Sequence, residues 1–301
     1  MEALLSLSNE LAGAVERIAP SIVAVHARRR LPSTGIHWRP GIVVTAEHTV
    51  RAEDGLTVET PDGRSHPATL VGRDSGTDLA VLKITTDLDG PPAPRGDDGA
   101  LRVGHMVLAL GYGPRASWGV ISALGPRWRT WRGGEIDRLV RLDLVLYPGF
   151  SGGPLVDAAG HVVGVNTSAL ARDSRLAVPV TTVGRVVDEL LRQGHVSRGY
   201  LGIGMQPVRL PDGLRAALGL PGDGGLIVVT VEPDGPAARA GLLLGDVLVA
   251  LDGVPTADLD DVQGRLGGDR IGTTVTALVV RAGARAEVRV TVGERPRRGA
   301  R

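Results

Sequence analysis

Three segments of the 301-residue chain carry residue types that could do chemistry together. Val44-Thr45-Ala46-Glu47-His48 sets a histidine just past a short apolar run. Thr77-Asp78-Leu79-Ala80-Val81-Leu82 opens a second apolar run with a carboxylate. Pro148-Gly149-Phe150-Ser151-Gly152-Gly153-Pro154-Leu155 places a hydroxyl in a glycine-rich turn, before the strand-like Leu155-Val156-Asp157. Taken singly, each has a plain structural reading: a strand-end histidine, a turn aspartate, a hairpin. Taken together, they supply what acyl transfer needs. A hydroxyl nucleophile requires a base to take its proton and a carboxylate to fix the tautomer of that base. Backbone N–H groups of a tight glycine turn can hold the developing oxyanion.

The elements that must position these residues are short. Residues 4–18 carry Leu4, Leu7, Leu11, Val15 and Ile18 at three- and four-residue steps, which predicts a helix ended by Pro20. Strand-like runs follow at 21–25, 41–45, 56–60, 67–72, 78–84, 105–111, 118–124, 138–146, 161–167 and 175–180, separated by Gly, Pro, Asp and Asn clusters. Short strands with frequent turns predict an all-β barrel or sandwich. An amphipathic helix over 181–194 closes this unit, with Gly194 as its stop. The rhythm then changes. After a linker at 195–199, strands are expected at 201–208, 226–231, 246–253, 274–280 and 286–292, with helical runs near 213–219 and 258–266. The tail RPRRGAR is expected to fray.

Composition narrows the function. With 43 Gly and 20 Pro, the chain is turn-rich. Apolar residues make up 43% and charged residues 22%, as in ordinary globular proteins. Lys and Arg number 34 against 33 Asp and Glu, which excludes a global pull on nucleic acid or anionic lipid. Cysteine is absent, so disulfides, thiolate metal sites and a thiol nucleophile are excluded. The seven histidines show no metal-ligand spacing, and no metal or cofactor is expected. No run of about 18 apolar residues could span a membrane. The first 20 residues lack the pattern of a signal peptide. If Met1 is the natural start, the expected location is the cytoplasm; if the chain is trimmed, it is the periplasm or another extracytoplasmic space.

The blocks TAEH, GTDLAVLKI and PGFSGGPLV, in this order, resemble the HtrA/DegP family of trypsin-like serine proteases, and the second half is similar to that family's PDZ domain. The resemblance covers residues 12–293. It implies a mainly β protein: an N-terminal helix (1–20), a chymotrypsin-like double β-barrel protease domain (21–195), an α+β PDZ domain built as a small, partly open barrel with two helices (199–293), and a disordered tail (294–301). It assigns His48 as general base, Asp78 as its orienting acid and Ser151 as nucleophile, with the Gly149 and Ser151 N–H groups as oxyanion hole. Val145, Leu146, Thr167 and Ser168 become the substrate pocket. Val145 stands six residues before the nucleophile, where an acid would select Arg or Lys, so small aliphatic side chains are preferred over the basic reading that Asp143 would support. Tyr200, Leu201, Gly202 and Ile203 match the PDZ carboxylate-binding loop, with an extended peptide adding beside 203–208 and the helix near 258–266 as the other wall. GPAARAGLLLGDVLVALDG (235–253) resembles a PDZ core.

The activity so implied is ATP-independent endoproteolysis of misfolded or unfolded proteins, with peptide C-termini held at the PDZ domain. The alternative is a weakly active or inactive protease-like chaperone. That rival rests on Phe150, the single Phe in the chain, which replaces the family's usual Asn beside the oxyanion turn. Family members form trimers through aromatic contacts near the N-terminus. This N-terminus offers only aliphatic residues, which leaves a homo-oligomer open. Arg127-Trp128-Arg129-Thr130-Trp131-Arg132 could stack single-stranded nucleic acid, but a surface or regulatory loop is the preferred reading. Arg28-Arg29-Arg30 reads as a solvated strand end.

Overall fold

A computed structural model describes every residue except 29, 30, 87, 89, 114, 171–174, 221, 223 and 297–301. Of the three consecutive arginines at 28–30, only Arg28 is among the described residues; its guanidinium donates to Leu31 O at 2.8 Å. The chain divides into two units, residues 1–196 and 197–301.

Unit 1 begins with α1 (Glu2–Ile18). Its apolar stripe is only half used: Ala14 and Ile18 are fully buried, whereas Leu4 is 73% exposed. The C-terminal half docks on the turn at 159–160, where Arg17 Nε donates to Ala159 O. Six strands then close a first barrel: β1 (Ile22–His26), β2 (Ser33–Arg39), β3 (Ile42–Ala46), β4 (Leu56–Glu59), β5 (Ser65–Asp74) and β6 (Leu79–Ile84), in the order β1-β2-β3-β6-β5-β4. A second barrel uses β7 (Met106–Gly111), β8 (Arg115–Gly125), β11 (Leu139–Asp143), β12 (Pro154–Asp157), β13 (Val162–Thr167) and β14 (Leu176–Pro179), in the order β11-β14-β13-β12-β7-β8. A small hairpin, β9 (Trp128–Arg129) and β10 (Glu135–Ile136), interrupts it.

Successive side chains of a strand point to opposite faces, and here both faces are buried. On β3, Val43 fills the first barrel while Val44 faces a second cluster shared between the barrels. On β7, Val107 and Ala109 fill the second barrel while Leu108 and Leu110 join that shared cluster. The shared layer presses the two barrels together, and the catalytic candidates come from strand ends along it. Helix α2 (Val180–Gln193) packs on β5 and β6 of one barrel and β13 and β14 of the other, and ends at Gly194 in the left-handed conformation.

Unit 2 is a twisted sheet in the order β16-β17-β18-β20-β21: β16 (Ile203–Arg209), β17 (Gly224–Val231), β18 (Val247–Leu251), β20 (Thr274–Arg281) and β21 (Ala284–Thr291), with β19 (Val254–Pro255) beside β18. Its core includes Leu226, Leu248, Val275, Val279 and Val290, with Ala237 and Val262 contributed by two short helices. Among the described residues of this unit there are three α-helices, where the sequence suggests two: α3 (Asp212–Leu218), α4 (Pro236–Ala240) and α5 (Leu259–Gly264). The tail also starts later than expected. Glu294 lies in β22 (Gly293–Glu294), which pairs with β15 (Gly199–Tyr200), and Arg295 N–H donates to Arg198 O. The pairing satisfies backbone groups that a frayed end would leave to water. Residues 297–301 of the expected tail lie outside the described residues. No helix among the described residues is long and apolar enough to cross a membrane.

Candidate active site

Asp78 sits at the mouth of β6, after a loop that Asp74 organises. The buried Asp74 carboxylate accepts from the N–H groups of Gly76 and Thr77 and from the Thr77 hydroxyl. These bonds deliver Asp78 with a left-handed backbone, φ +58°. Its carboxylate is fully shielded from solvent. It accepts from the backbone N–H of His48 at 2.9 Å and from His48 Nδ1 at 2.8 and 3.0 Å. An ionised carboxylate only accepts, so Nδ1 carries the hydrogen and Nε2 presents its lone pair. His48 itself sits in a single 3₁₀ turn after β3, pinned by Glu47 N–H on Asp78 O and by Thr49 Oγ1 on Ala46 O.

Ser151 follows a tight turn over 147–150. Pro148 occupies the second position and Gly149, with φ +94°, the third, while Phe150 N–H closes the turn on Tyr147 O. This is the type II pattern, which requires positive φ at the third position. Among the described residues, the N–H groups of Gly149 and Ser151 have no partner within the protein. The next residue, Gly152, ties the loop to the first barrel. A Cβ there would lie 2.4 Å from Thr45 Oγ1 and 2.7 Å from Ala46 N, two residues before His48. The Ser151 hydroxyl pairs with Ser168 Oγ at 3.2 Å, and the His48 ring is not among its hydrogen-bond partners.

The remaining pocket candidates separate. Val145 is 45% exposed, with its N–H on Ser117 Oγ, and Leu146 packs at the edge of the second-barrel core. Thr167, expected in the pocket wall, is buried, and its hydroxyl donates to Asp78 Oδ2 at 2.5 Å. It therefore braces the acid from behind. Asp143 stands at the end of β11, 3.9 Å from Arg175.

One residue is beyond what the motifs suggest. Glu47, beside His48, has its carboxyl pushed above the usual range by burial and then by the Asp78 charge, against the opposing pull of Arg132, Arg73 and His48. Arg132 comes from the Arg-Trp segment, 3.9 Å from Glu47. That segment forms the β9–β10 hairpin, and Thr130 Oγ1 donates to Gly76 O in the Asp78 loop. Its other arginines pair with Glu135 and Asp137, so little free positive charge remains for a nucleic acid. Phe150, which the sequence singles out beside the oxyanion turn, packs inward. Its ring is fully buried, edge-on to Tyr147, and lies where a Cβ on Gly111 would stand.

In unit 2, Leu201 is buried and its carbonyl accepts from Ala237 N–H, while Gly202 has φ +80°. Ile203 opens β16, the end strand of the sheet, and α5 packs near it. Tyr200 lies in β15.

Two closed six-stranded barrels with a His–Asp pair and a serine turn at their junction define a trypsin-like peptidase architecture. Residues 33–165 match the trypsin-like peptidase domain family, and residues 199–292 match the PDZ domain family. The chain is similar over 96% of its length, at 30% identity and TM-score 0.76, to the solved HtrA-type protease AlgW with decapeptide, covering 99% of that chain. A serine endoprotease structure from Yersinia pestis matches at 30% identity and TM-score 0.75, over 95% of this chain and 98% of that one. A protein of Brucella suis named "Probable periplasmic serine endoprotease DegP-like" is 36% identical over 273 residues, 85% of this chain and 51% of the relative. One of the same description from Halomonas elongata is 37% identical over 280 residues, 89% of this chain and 57% of the relative. The chain thus spans about half the length of these curated relatives. It belongs to the HtrA-type serine proteases. The relatives carry periplasmic names, and the cytoplasmic expectation finds no support among them.

Proposed function

We propose that the chain is a serine endopeptidase acting on unfolded or misfolded proteins. The carrying observation is the buried Asp78 carboxylate that holds Nδ1 of His48 and leaves Nε2 as the base. Substrate binding turns the Ser151 hydroxyl from Ser168 toward Nε2; catalytic hydrogen bonds commonly tighten only in the substrate complex. Ser151 Oγ then bonds to the peptide carbonyl carbon as its proton passes to Nε2. The Gly149 and Ser151 N–H groups hold the oxyanion, and Asp78 stabilises the imidazolium. Collapse breaks the C–N bond, with the Nε2 proton going to the leaving amine. Water repeats the sequence on the acyl-enzyme and releases the acid.

Val145 and Leu146 make the pocket apolar, which suits small aliphatic residues before the cleaved bond. The Leu201–Ile203 loop and the open edge of β16 take a peptide C-terminus as an added strand. The relatives' periplasmic names support an extracytoplasmic location. The chaperone-only alternative loses its main support, because Phe150 packs into the core. The test is labelling by a fluorophosphonate together with casein digestion, with and without a C-terminal activating peptide. Ser151 should be the labelled residue, and Ser151→Ala should abolish both signals. Casein cleavage undiminished in that variant overturns the assignment.

A further inference from the structure

Two carbonyls, those of Gly149 and Phe150, lie between the proposed oxyanion donors; Gly153 N–H holds the second, and what holds the first lies in the other barrel. Thr34, on β2, is fully buried. Its Oγ1 donates to Gly149 O at 2.6 Å and accepts from Tyr112 N–H at 2.9 Å. The directions are unambiguous: a carbonyl can only accept, a backbone N–H can only donate, and the hydroxyl has one hydrogen. Tyr112 is anchored in turn. Its phenol donates to Glu59 at 2.6 Å, and Glu59 also pairs with His26 Nε2 at 3.0 Å. Burial and then this Glu59 bond push the Tyr112 phenol up to about 12, so it stays a donor across the working pH range.

A peptide group is planar, so fixing the Gly149 carbonyl also fixes the Phe150 N–H that closes the 147–150 turn. The torsions on either side of that plane, ψ of Gly149 and φ of Phe150, help set the angle between the flanking N–H groups of Gly149 and Ser151, and an uncompensated change in either makes the two diverge. A glycine at φ +94° offers little resistance of its own to such a rotation. We propose that Thr34 is a positioning residue for the oxyanion turn: its hydroxyl bolts the 149–150 peptide in the orientation that leaves both N–H groups free for the transition state. The inference rests on the reading of Ser151 as nucleophile with the hole at Gly149 and Ser151.

The test uses the full chain as wild type, Thr34→Val and Thr34→Ser. Valine keeps the shape and removes both bonds; serine keeps the hydroxyl. Loss of one hole donor outright lowers kcat about 10²–10³-fold. Loosening both at one remove should lower it about ten- to hundredfold, with KM within about twofold, and serine should restore most of the rate. A peptide aldehyde, which forms an oxyanion on the enzyme, should weaken by the same factor as kcat/KM. The matching peptide alcohol, which forms none, should bind unchanged. A general structural role would weaken both inhibitors alike. If Thr34→Val does not fold, as judged by its melting curve, Thr34→Ala carries the same comparison. Unchanged kcat in the hydroxyl-less variant, or equal weakening of aldehyde and alcohol, overturns the proposal while the protease reading stands. A wild-type chain that neither cleaves peptide nor takes fluorophosphonate on Ser151 overturns both.

Discussion

The contact between Phe150 and Gly111 can be measured as a coupling. An ideal Cβ on Gly111 would lie 2.6 Å from Phe150 Cδ1 and 2.7 Å from Cε1, inside any real carbon contact. Gly111 ends β7 and its φ is not positive, so alanine there meets the ring and no backbone strain. Gly111→Ala should therefore destabilise by about 1–3 kcal/mol through overpacking. Phe150→Ala, at a fully buried ring, should cost about 3–5 kcal/mol. In the Phe150→Ala background the new methyl enters vacated space. Alanine in a strand also spares roughly 0.5–1 kcal/mol of glycine entropy, so Gly111→Ala should become neutral or stabilising there. The double-mutant cycle should then show a coupling of about 1–3 kcal/mol. Urea unfolding followed by tryptophan fluorescence suits the measurement. All four tryptophans, at 38, 118, 128 and 131, lie in unit 1, so the signal is blind to the PDZ unit. Equal costs for Gly111→Ala in both backgrounds would refute the argument that the ring occupies this space.

Further outcomes follow from the charged groups. Glu47, raised by burial and then by Asp78, contributes stability that is complete below the ordinary carboxylate range and lost as pH rises through its raised value. Glu47→Gln should thus melt with the wild type near about pH 4 and above it near about pH 8; a gap independent of pH would count against the assignment. In unit 2, burial alone would raise Asp246. The two bonds from Arg281, at 2.7 and 2.8 Å, and the Leu243 N–H outweigh it and hold the carboxyl below its usual range. Arg281→Met strands a buried carboxylate and should cost the PDZ unit toward the lower end of roughly 3–5 kcal/mol. That contribution is present above the ordinary carboxylate pKa and fades as pH falls through the depressed one. Calorimetry of the PDZ transition across acid pH checks both statements.

Much of the fold was legible because both faces of many strands are buried, so runs such as Val43-Val44 and Val107 to Leu110 read as continuous apolar stretches. The strand hardest to see was β2. Ser33, Thr34 and His37 are buried there; Thr34 bonds Gly149 and Tyr112 of the second barrel, while Ser33 bonds Val25 and Thr49 of its own, so the sequence of the strand shows no alternation. The β9–β10 hairpin and the β15–β22 pair are two residues per strand, too short for any period. At the site, motif order singles out His48, Asp78 and Ser151. It did not reveal that the Thr167 hydroxyl turns inward to Asp78, since spacing says nothing about which way a hydroxyl points. Thr34 carries no signal in the linear chain at all; its role arises from partners 78 and 115 residues away.

The left-handed backbone at Asp78 bears on how the acid can be removed. Aspartate and asparagine tolerate that conformation better than other residues with a Cβ, so Asp78→Asn discharges the carboxylate while keeping the chain at ease. Asp78→Ala would add a conformational penalty to the chemical one. The amide therefore reports the loss of the charge and of the acceptor that fixes the imidazole tautomer, free of added backbone strain.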